Sequence, residues 1–174
     1  METELCKMMG CTCLRLRRAT RRVTQLYDHA LQPAGLTINQ FGLLAYLHGA
    51  TLTPSTAPSI GTIAEWLGMD PTTLNRNLKP LVARGLVRTT PDPDDGRVRI
   101  VRTTDKGRRA LLKAVPLWRE AQAEVETALG SDATTALNDL LDLSSALGRG
   151  HGGHEQGKRS RPALRARQRA GQRA

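Results

Sequence analysis

The sequence predicts a mainly α-helical protein with one small β-hairpin. Apolar residues recur at three- and four-residue steps through most of the chain, which is the spacing of one helix face. Two short β-branched runs flank a dense turn cluster at residues 91–96, as expected for a hairpin. Only five of the 174 residues are aromatic, so aliphatic side chains must fill the core.

The first third of the chain is predicted to form two helices. Helical spacing of apolar residues indicates a long helix over residues 13–32, which a Pro-Ala-Gly sequence ends. Thr37 with Gln40 is a capping box for a second helix, which we expect to end at Leu47. The Pro-, Ser- and Thr-rich segment that follows is then a loop.

The centre of the chain has the capping and helix-ending residues of two short helices separated by a tight turn. Ser59 can cap the first helix, and Gly68 stands where a helix exits through the left-handed conformation. Asp70 and Pro71 are the residue types that begin a helix, and Gly85 ends this second one.

The second of these helices has two chemically different faces. Its leucines form one apolar stripe, which predicts packing against a core. The opposite face carries side chains that can hydrogen-bond base edges or phosphates: Thr72, Thr73, Asn75, Arg76 and Lys79. Asn and Arg suit bidentate contacts with adenine and guanine in a major groove about 12 Å wide. The alternative is an ordinary amphipathic helix whose polar face meets water.

The turn between the predicted strands 86–90 and 98–103 is highly charged. Arg97 and Arg99 follow its glycine at once, and the turn itself holds three aspartates. A loop beside a groove-bound helix can place an arginine in the narrow minor groove, with an aspartate holding the guanidinium extended. A surface hairpin whose arginines simply pair with the aspartates is the alternative.

The chain returns to helix after the hairpin. Thr104 can cap a long helix through Leu129, and Ser131 begins a last helix whose leucines extend to Leu147. If the first and last helices form a bundle with a second copy, the two copies of residues 59–108 can match successive major grooves, about 34–36 Å apart. The alternative is that these stripes pack within one chain.

These motifs, in this order, resemble the winged helix-turn-helix of MarR-type bacterial transcription regulators. The resemblance covers residues 13–147 and is carried by Ile63-Ala64-Glu65-Trp66-Leu67-Gly68, Thr73-Leu74-Asn75-Arg76, Gly85-Leu86-Val87, Asp95-Gly96-Arg97 and Thr103-Thr104-Asp105-Lys106-Gly107-Arg108. It implies N- and C-terminal dimerisation helices, an obligate homodimer, a pseudo-palindromic operator in double-stranded DNA, and usually a repressor released by a small molecule or by oxidation. By position, residues 70–84 resemble the recognition helix and Arg97 resembles the wing arginine.

Three parts of the chain are therefore expected. They are a cysteine-containing arm at 1–12, the winged helix-turn-helix domain at 13–147 with its DNA-binding head at 59–108, and a basic tail at 148–174. The tail carries +7 of the net charge of +10 and almost no apolar residues, so we expect it to be disordered. Such a tail adds salt-sensitive affinity for DNA of any sequence. A solubilising tail without function is the alternative.

The three cysteines, Cys6, Cys11 and Cys13, all precede or begin the first helix. The helix N-terminus and nearby arginines favour the thiolate of Cys13, which peroxide oxidises first to a sulfenic acid. Cys6 or Cys11, from the same or the partner chain, can then resolve it. Their spacing matches no zinc site. Redox sensing, three inert thiols, and ligation of a metal or another group all stay open.

The first helix also resembles that of the organic-hydroperoxide-sensing branch of the same family, from Cys13-Leu14 through Tyr27-Asp28. This resemblance implies that Cys13 is the oxidised residue and that Tyr27 helps to hold it. Where that branch carries further tyrosines, this sequence has Arg17 and Ile38.

Other classes of function are disfavoured. No apolar run approaches the roughly 20 residues of a membrane span, and no secretory h-region is present, so we expect a cytoplasmic protein without a membrane partner. The histidines form no catalytic or metal-binding pattern, and no glycine loop cradles a phosphate, so we expect no enzyme, cofactor or metal. A sequence-specific regulator is favoured; a non-specific architectural DNA-binding protein is the alternative.

Overall fold

The computed structural model describes residues 10–51 and 57–144. Its elements, in chain order, are α1 (Thr12–Leu31), a 3-10 helix (Gln32–Ala34), α2 (Ile38–Ala50), α3 (Ile60–Leu67), α4 (Pro71–Ala83), β1 (Val87–Pro91), β2 (Arg99–Thr103), α5 (Asp105–Leu129) and α6 (Ser131–Ser144). This order confirms the predicted fold class. Cys6, Leu147 and the tail lie outside the described residues, so the proposed division into arm, domain and tail stays a prediction.

The helices begin where the predicted capping residues stand. The Thr37 hydroxyl accepts the N–H of Gln40, whose side chain accepts the N–H of Thr37, so the capping box is formed. The side chains of Ser59, Asp70 and Thr104 each accept a hydrogen bond from the backbone N–H three residues further on. Each cap supplies an acceptor to a first-turn donor that has no partner within its helix.

Two helix ends differ from prediction. α1 ends at Leu31, because the proline after it lies in the short 3-10 helix that Gly35 closes at φ 64°. α2 runs three residues past Leu47 to Ala50. The apolar stripe ends at Leu47, but the next three residues are still half-buried, so packing continues the helix beyond the pattern.

The hairpin strands each begin one residue later than predicted. β1 and β2 are antiparallel, with Val87 opposite Thr103 at one end of the pair. Leu86 is excluded from β1 because its N–H donates to the Leu81 carbonyl at 2.8 Å and so closes the end of α4. Val98 belongs to the turn, where its N–H donates to the Asp95 carbonyl at 2.9 Å.

A third segment pairs with the hairpin. Ser59 forms an antiparallel bridge with Ile100, and the Val101 N–H donates to the Pro58 carbonyl at 3.0 Å. The start of α3 is therefore joined to β2.

The core is aliphatic, as the composition requires. Its largest fully buried side chains come from almost every element of the head and from α1 and α2: Leu31, Leu43, Leu44, Leu47, Ile63, Leu74, Leu81 and Val101. One aromatic stack, between Phe41 of α2 and Trp118 of α5 with ring centroids 5.9 Å apart, joins α2 to the long helix α5. Among the described residues, no helix is both long and apolar enough to cross a membrane.

Gly107 marks the closest approach between α5 and the hairpin. A Cβ at this position would lie 2.0 Å from the Leu86 carbonyl oxygen, so only glycine fits. The same oxygen accepts the N–H of Thr104 at 3.0 Å. The start of α5 is thus fixed against the connection between α4 and β1.

Candidate nucleic-acid interface

α3 and α4 form two helices joined by a three-residue turn. Gly68 leaves α3 at φ 62°, and the Met69 N–H donates back to the Ala64 carbonyl at 2.9 Å. Asp70 then caps α4, in which Pro71 is the first residue. Ile63 and Ala64 of α3 are buried in the same core as the leucines of α4, so the two helices are held at a fixed angle.

One face of α4 packs inward and the other meets solvent. Leu74, Leu78 and Leu81 are buried. The side chains that sequence reasoning assigned to DNA lie on the opposite side, and four of the five are exposed: Thr72, Asn75, Arg76 and Lys79. Within the described part of the chain, no hydrogen bond or ion pair occupies the side chains of Arg76 and Lys79, so both cations are available to a ligand.

Thr73, the fifth predicted residue, has a different position. It is half-buried, and its hydroxyl donates to Asp70 Oδ2 at 2.6 Å while its N–H donates to Oδ1 at 2.9 Å. These two hydrogen bonds hold the pKa of the Asp70 carboxyl below its ordinary value. The Thr73 hydroxyl proton is therefore used in the cap. Toward DNA, the hydroxyl oxygen can act only as a hydrogen-bond acceptor.

The wing arginines are exposed, but their predicted pairing with the turn aspartates is wrong. Asp92 accepts the backbone N–H groups of Asp94 and Asp95, and Asp95 accepts the N–H of Arg97 at 3.0 Å. No ion pair joins an arginine and an aspartate of this described hairpin. A short Asp side chain reaches a backbone N–H two or three residues on more readily than it meets a flexible guanidinium. The carboxylates thus build the turn and leave Arg97 and Arg99 unpaired.

An open cleft separates α4 from the hairpin and brings three of the predicted residues together. Asn75 and Lys79 line it from α4, and Arg99 lines it from β2. Its apolar lining includes Ile60 and Leu78. The cleft thus has a cationic side chain on each side and an amide on the α4 side, an arrangement that suits a polyanion lying between helix and wing. Arg97 does not line this cleft and lies in the turn, two residues before the start of β2.

The structure places the predicted redox residues far apart within one chain. Cys11 and Cys13 are exposed, and Cys11 precedes the first turn of α1 without a side-chain capping bond. Tyr27 is buried, and its hydroxyl donates to Gln122 of α5. Fourteen residues along one helix correspond to about 21 Å, so a contact between Tyr27 and Cys13 requires two chains.

Gln122 is a residue that sequence reasoning missed. Its Oε1 accepts from Tyr27 and its Nε2 donates to Glu126 at 2.7 Å, which links α1 to α5. Burial, and then the nearby Glu126 carboxylate, raise the pKa of the Tyr27 phenol. A lone glutamine on a helix face carries no signal of such a bond in the sequence.

Comparison with known proteins identifies the family. The family model described as MarR family matches residues 34–98. The transcriptional regulator MosR of M. tuberculosis, solved in complex with DNA, is 41% identical over 78% of this chain and 95% of that chain, with a TM-score of 0.67. The chain belongs to the MarR family.

Two further solved structures have the same architecture. The transcriptional repressor CouR, bound to a 23-mer DNA duplex, is 30% identical, with 79% of this chain and 94% of that chain covered and a TM-score of 0.68. BpsR of Bordetella bronchiseptica, whose DNA binding is regulated by 6-hydroxynicotinic acid, is 25% identical, with 78% and 94% covered and a TM-score of 0.67. A comparison with curated protein sequences gives no match.

Membership of the MarR family makes this chain a transcription regulator with a winged helix-turn-helix. α3 and α4 are its helix-turn-helix, and β1 and β2 are its wing. The segment that matches the family model runs from the 3-10 helix into the turn of the wing. It includes every predicted DNA-contact residue of α4 and Arg97, and it ends just before Arg99.

Proposed function

We propose that this chain is a sequence-specific DNA-binding repressor that binds a pseudo-palindromic operator as a homodimer. The observation that carries the proposal is the exposed face of α4. Asn75, Arg76 and Lys79 project from a helix whose leucines are anchored in the core, and none of the three is engaged elsewhere in the described protein. A rigid helix with free amide and guanidinium groups is what base reading in the major groove needs.

Each predicted contact has a distinct role in this proposal. Asn75 and Arg76, with Thr72 at the start of the helix, read base edges, while Lys79 neutralises a phosphate. Arg97 enters the adjacent minor groove from the wing tip, and Arg99 contacts the backbone that crosses the cleft. Thr73 contributes through the cap of α4 and through its acceptor oxygen.

The homodimer is supported by apolar side chains that the terminal helices leave uncovered. They lie on α1, α5 and α6 and include Leu14, Leu16, Val23, Leu112, Leu129, Leu137, Leu140, Leu141 and Leu143. Leu140 is 64% exposed and Leu143 is 69% exposed. Many large apolar side chains exposed on these three helices are typical of a protein interface. A second copy covers it and fixes the separation of the two heads.

Release from DNA is proposed to follow binding of a small ligand or oxidation of Cys13. Regulation of BpsR by 6-hydroxynicotinic acid supports the ligand route. For the oxidation route, a peroxide converts the Cys13 thiolate to a sulfenic acid and is itself reduced to water or an alcohol. The thiolate of Cys11 or Cys6 then attacks this sulfur, hydroxide leaves, and a disulfide forms. Either event needs to favour the unbound arrangement by only about 1.4 kcal/mol to weaken binding tenfold.

Two further proposals accompany this function. The chain acts in the cytoplasm, where bacterial DNA lies, and it acts by binding without enzymatic catalysis. The regulator role itself needs only the head and the paired terminal helices.

Binding preference tests the proposal. DNA fragments enriched from a random library by the purified chain are compared with scrambled duplexes of equal length, by competition at one fixed salt concentration. We expect the enriched site to bind about a thousandfold more tightly or better, as is typical of specific regulators. Equal affinity for both duplexes contradicts the proposal and favours an architectural DNA-binding protein.

A further inference from the structure

The C-terminal end of α4 is attached to the connection that follows α1. Arg84 directly follows α4, and its guanidinium donates from Nη1 to the Gly35 carbonyl oxygen. A Cβ on Gly35 would lie 3.3 Å from Arg84 Nη2, so the guanidinium rests directly against the glycine backbone. The bond spans 49 positions in sequence and joins the last turn of α4 to the chain leaving α1.

The same end of α4 is attached to the start of α5 on its other side. The Lys106 ammonium donates to the Arg84 carbonyl at 2.8 Å, and the Thr104 hydroxyl donates to the Gly85 carbonyl at 2.7 Å. Gly107 allows α5 to approach this connection closely. The connection that follows α1 and the start of α5 therefore both hold the end of α4.

Pro80 makes these outside attachments more important for α4. A proline has no N–H, so the Arg76 carbonyl receives no helical hydrogen bond from position 80. The internal hydrogen-bond ladder is thus weakest between the base-reading turns and the last turn. The direction of the last turn is then set more by its attachments than by the helix itself.

We propose that Arg84 is a positioning residue that transmits the arrangement of the terminal helices to α4. The inference rests on the proposed function, because it concerns how two α4 helices meet one operator. In a dimer, the bond between Arg84 and Gly35 fixes the tilt of each α4 relative to the paired terminal helices. It thereby fixes the separation and rotation at which both helices enter their grooves. Arg84 itself lies outside the predicted DNA contacts.

The consequence is a specific effect on half-site spacing. One added base pair rotates a half-site by about 34° around the duplex, since a turn holds about 10.5 base pairs. A head whose α4 is firmly held cannot follow this rotation. A head that has lost the guanidinium keeps the Lys106 and Thr104 attachments, so it stays folded, but it tolerates the rotation better.

The experiment compares Arg84→Met, which keeps most of the aliphatic stem, with the wild-type chain and two reference variants. Arg109→Met removes one exposed α5 cation that makes no hydrogen bond or ion pair with the residues at 10–51 and 57–144, and Arg84→Lys keeps the charge. Each full chain is titrated, at one salt concentration, with the DNA site enriched by the wild type. It is also titrated with the same site carrying one or two added base pairs between half-sites, and with scrambled DNA.

We expect the wild type and Arg109→Met to lose roughly tenfold or more in affinity when one base pair is added. For Arg84→Met, the factor by which one added base pair weakens binding should be less than about a third of the wild-type factor. Its affinity for scrambled DNA should equal that of Arg109→Met. Arg84→Lys should fall between them, since an ammonium can donate to the same carbonyl but lacks the planar guanidinium.

An unchanged spacing penalty in Arg84→Met, even with weaker binding to every duplex, overturns the positioning role and leaves the proposed function intact. A wild-type chain that enriches no site overturns the proposed function and the inference with it. If Arg84→Met does not fold, Lys106→Met takes its place, because it releases the same end of α4 from the α5 side. An undiminished spacing penalty in that variant overturns the inference equally.

Discussion

Tyr27 and Gln122, which are 95 positions apart in sequence, join α1 to α5 through a 2.5 Å hydrogen bond from the phenol to the amide oxygen. The tyrosine is 7% exposed, and the amide nitrogen of the glutamine in turn donates to Glu126. A chain of two polar contacts, from Tyr27 to Gln122 and from Gln122 to Glu126, therefore helps to fix the crossing of α1 and α5.

Removing the phenol hydroxyl should destabilise the protein. Tyr27→Phe leaves the Gln122 oxygen without its partner, and we expect the free energy of unfolding to fall by about 1–2 kcal/mol. Urea unfolding of the single variant, of Gln122→Leu and of the double variant forms a cycle that isolates the bond. Additive losses in this cycle would show that the bond contributes nothing of its own.

The raised pKa of Tyr27 predicts a loss of stability at high pH. The folded state holds the phenolic proton more tightly than the unfolded chain, whose tyrosine titrates near 10.0. The stabilisation is therefore complete below pH 10 and declines as the pH rises through the pKa of the folded state. The midpoint temperature of thermal unfolding should fall less steeply between pH 9 and 11 in Tyr27→Phe than in the wild type. Equal slopes of midpoint temperature against pH in the two proteins would contradict a raised pKa of Tyr27.

The lowered pKa of Asp70 predicts the opposite dependence at low pH. The carboxylate caps α4 in the folded state, so its contribution is present above the ordinary pKa of 3.8 and is lost as pH falls through the lowered value. Asp70→Asn keeps a capping side chain but removes the titration. We expect the difference in midpoint temperature between wild type and variant to shrink between pH 5 and pH 2. Ser59→Ala, at the cap of α3, is the control: its difference in midpoint temperature from the wild type should stay constant over this pH range.

Gly107 and Gly42 should respond oppositely to alanine. At Gly107 the new methyl group meets the Leu86 carbonyl, and we expect a loss of about 3 kcal/mol or failure to fold. At Gly42, inside α2, nothing lies within 4 Å of the new Cβ, so alanine should stabilise the protein by about 0.5–1 kcal/mol through its helix propensity. Chemical unfolding measures both. Similar effects at the two positions would contradict the close approach of α5.

Arg76 and Lys79 should differ in what they contribute to DNA binding. Arg76→Ala is expected to weaken binding to the enriched site by about 1–3 kcal/mol with little effect on scrambled DNA. Lys79→Ala should weaken binding to both and reduce the slope of log affinity against log salt by about one. Titrations at several salt concentrations separate the two cases. Equal losses on both duplexes for Arg76→Ala would exclude base reading by that side chain.

A charge on the last helix should separate the proposed dimer. Leu140→Glu places a carboxylate on the uncovered face of α6, and we expect the dimer dissociation constant to rise at least about tenfold. Val82→Glu changes a side chain that is also exposed but lies on α4, and it should leave the assembly unaltered. Sedimentation equilibrium distinguishes the outcomes. A wild-type monomer at micromolar concentration would remove the basis of this prediction.

Local signals explain why much of the head could be predicted from the sequence. Ser59, Gly68 and Asp70 each act on backbone groups within three or four residues, so their effect can be seen in a short window of sequence. The hydrogen bond that the Arg97 N–H donates to the Asp95 carboxylate is equally local, but opposite charges in a turn also suggest an ion pair, and residue type alone does not separate the two.

Relationships between distant segments could not be predicted in the same way. The bond from Arg84 to Gly35, the bond from Tyr27 to Gln122 and the bridge from Ser59 to Ile100 depend on how the helices cross. No residue type in these pairs is unusual at its position. The DNA contacts themselves remain predictions from residue type and exposure.

Because of the bridge between Ser59 and Ile100, the wing cannot move independently of α3. With the Pro58 carbonyl bound to Val101, any swing of the hairpin has to carry the start of α3 with it. A wing attached in this way cannot move into a wider or narrower minor groove without also moving α3. In the proposed complex the duplex therefore has to adapt to the wing, and we expect the stiffness of base steps outside the predicted contacts to contribute to recognition.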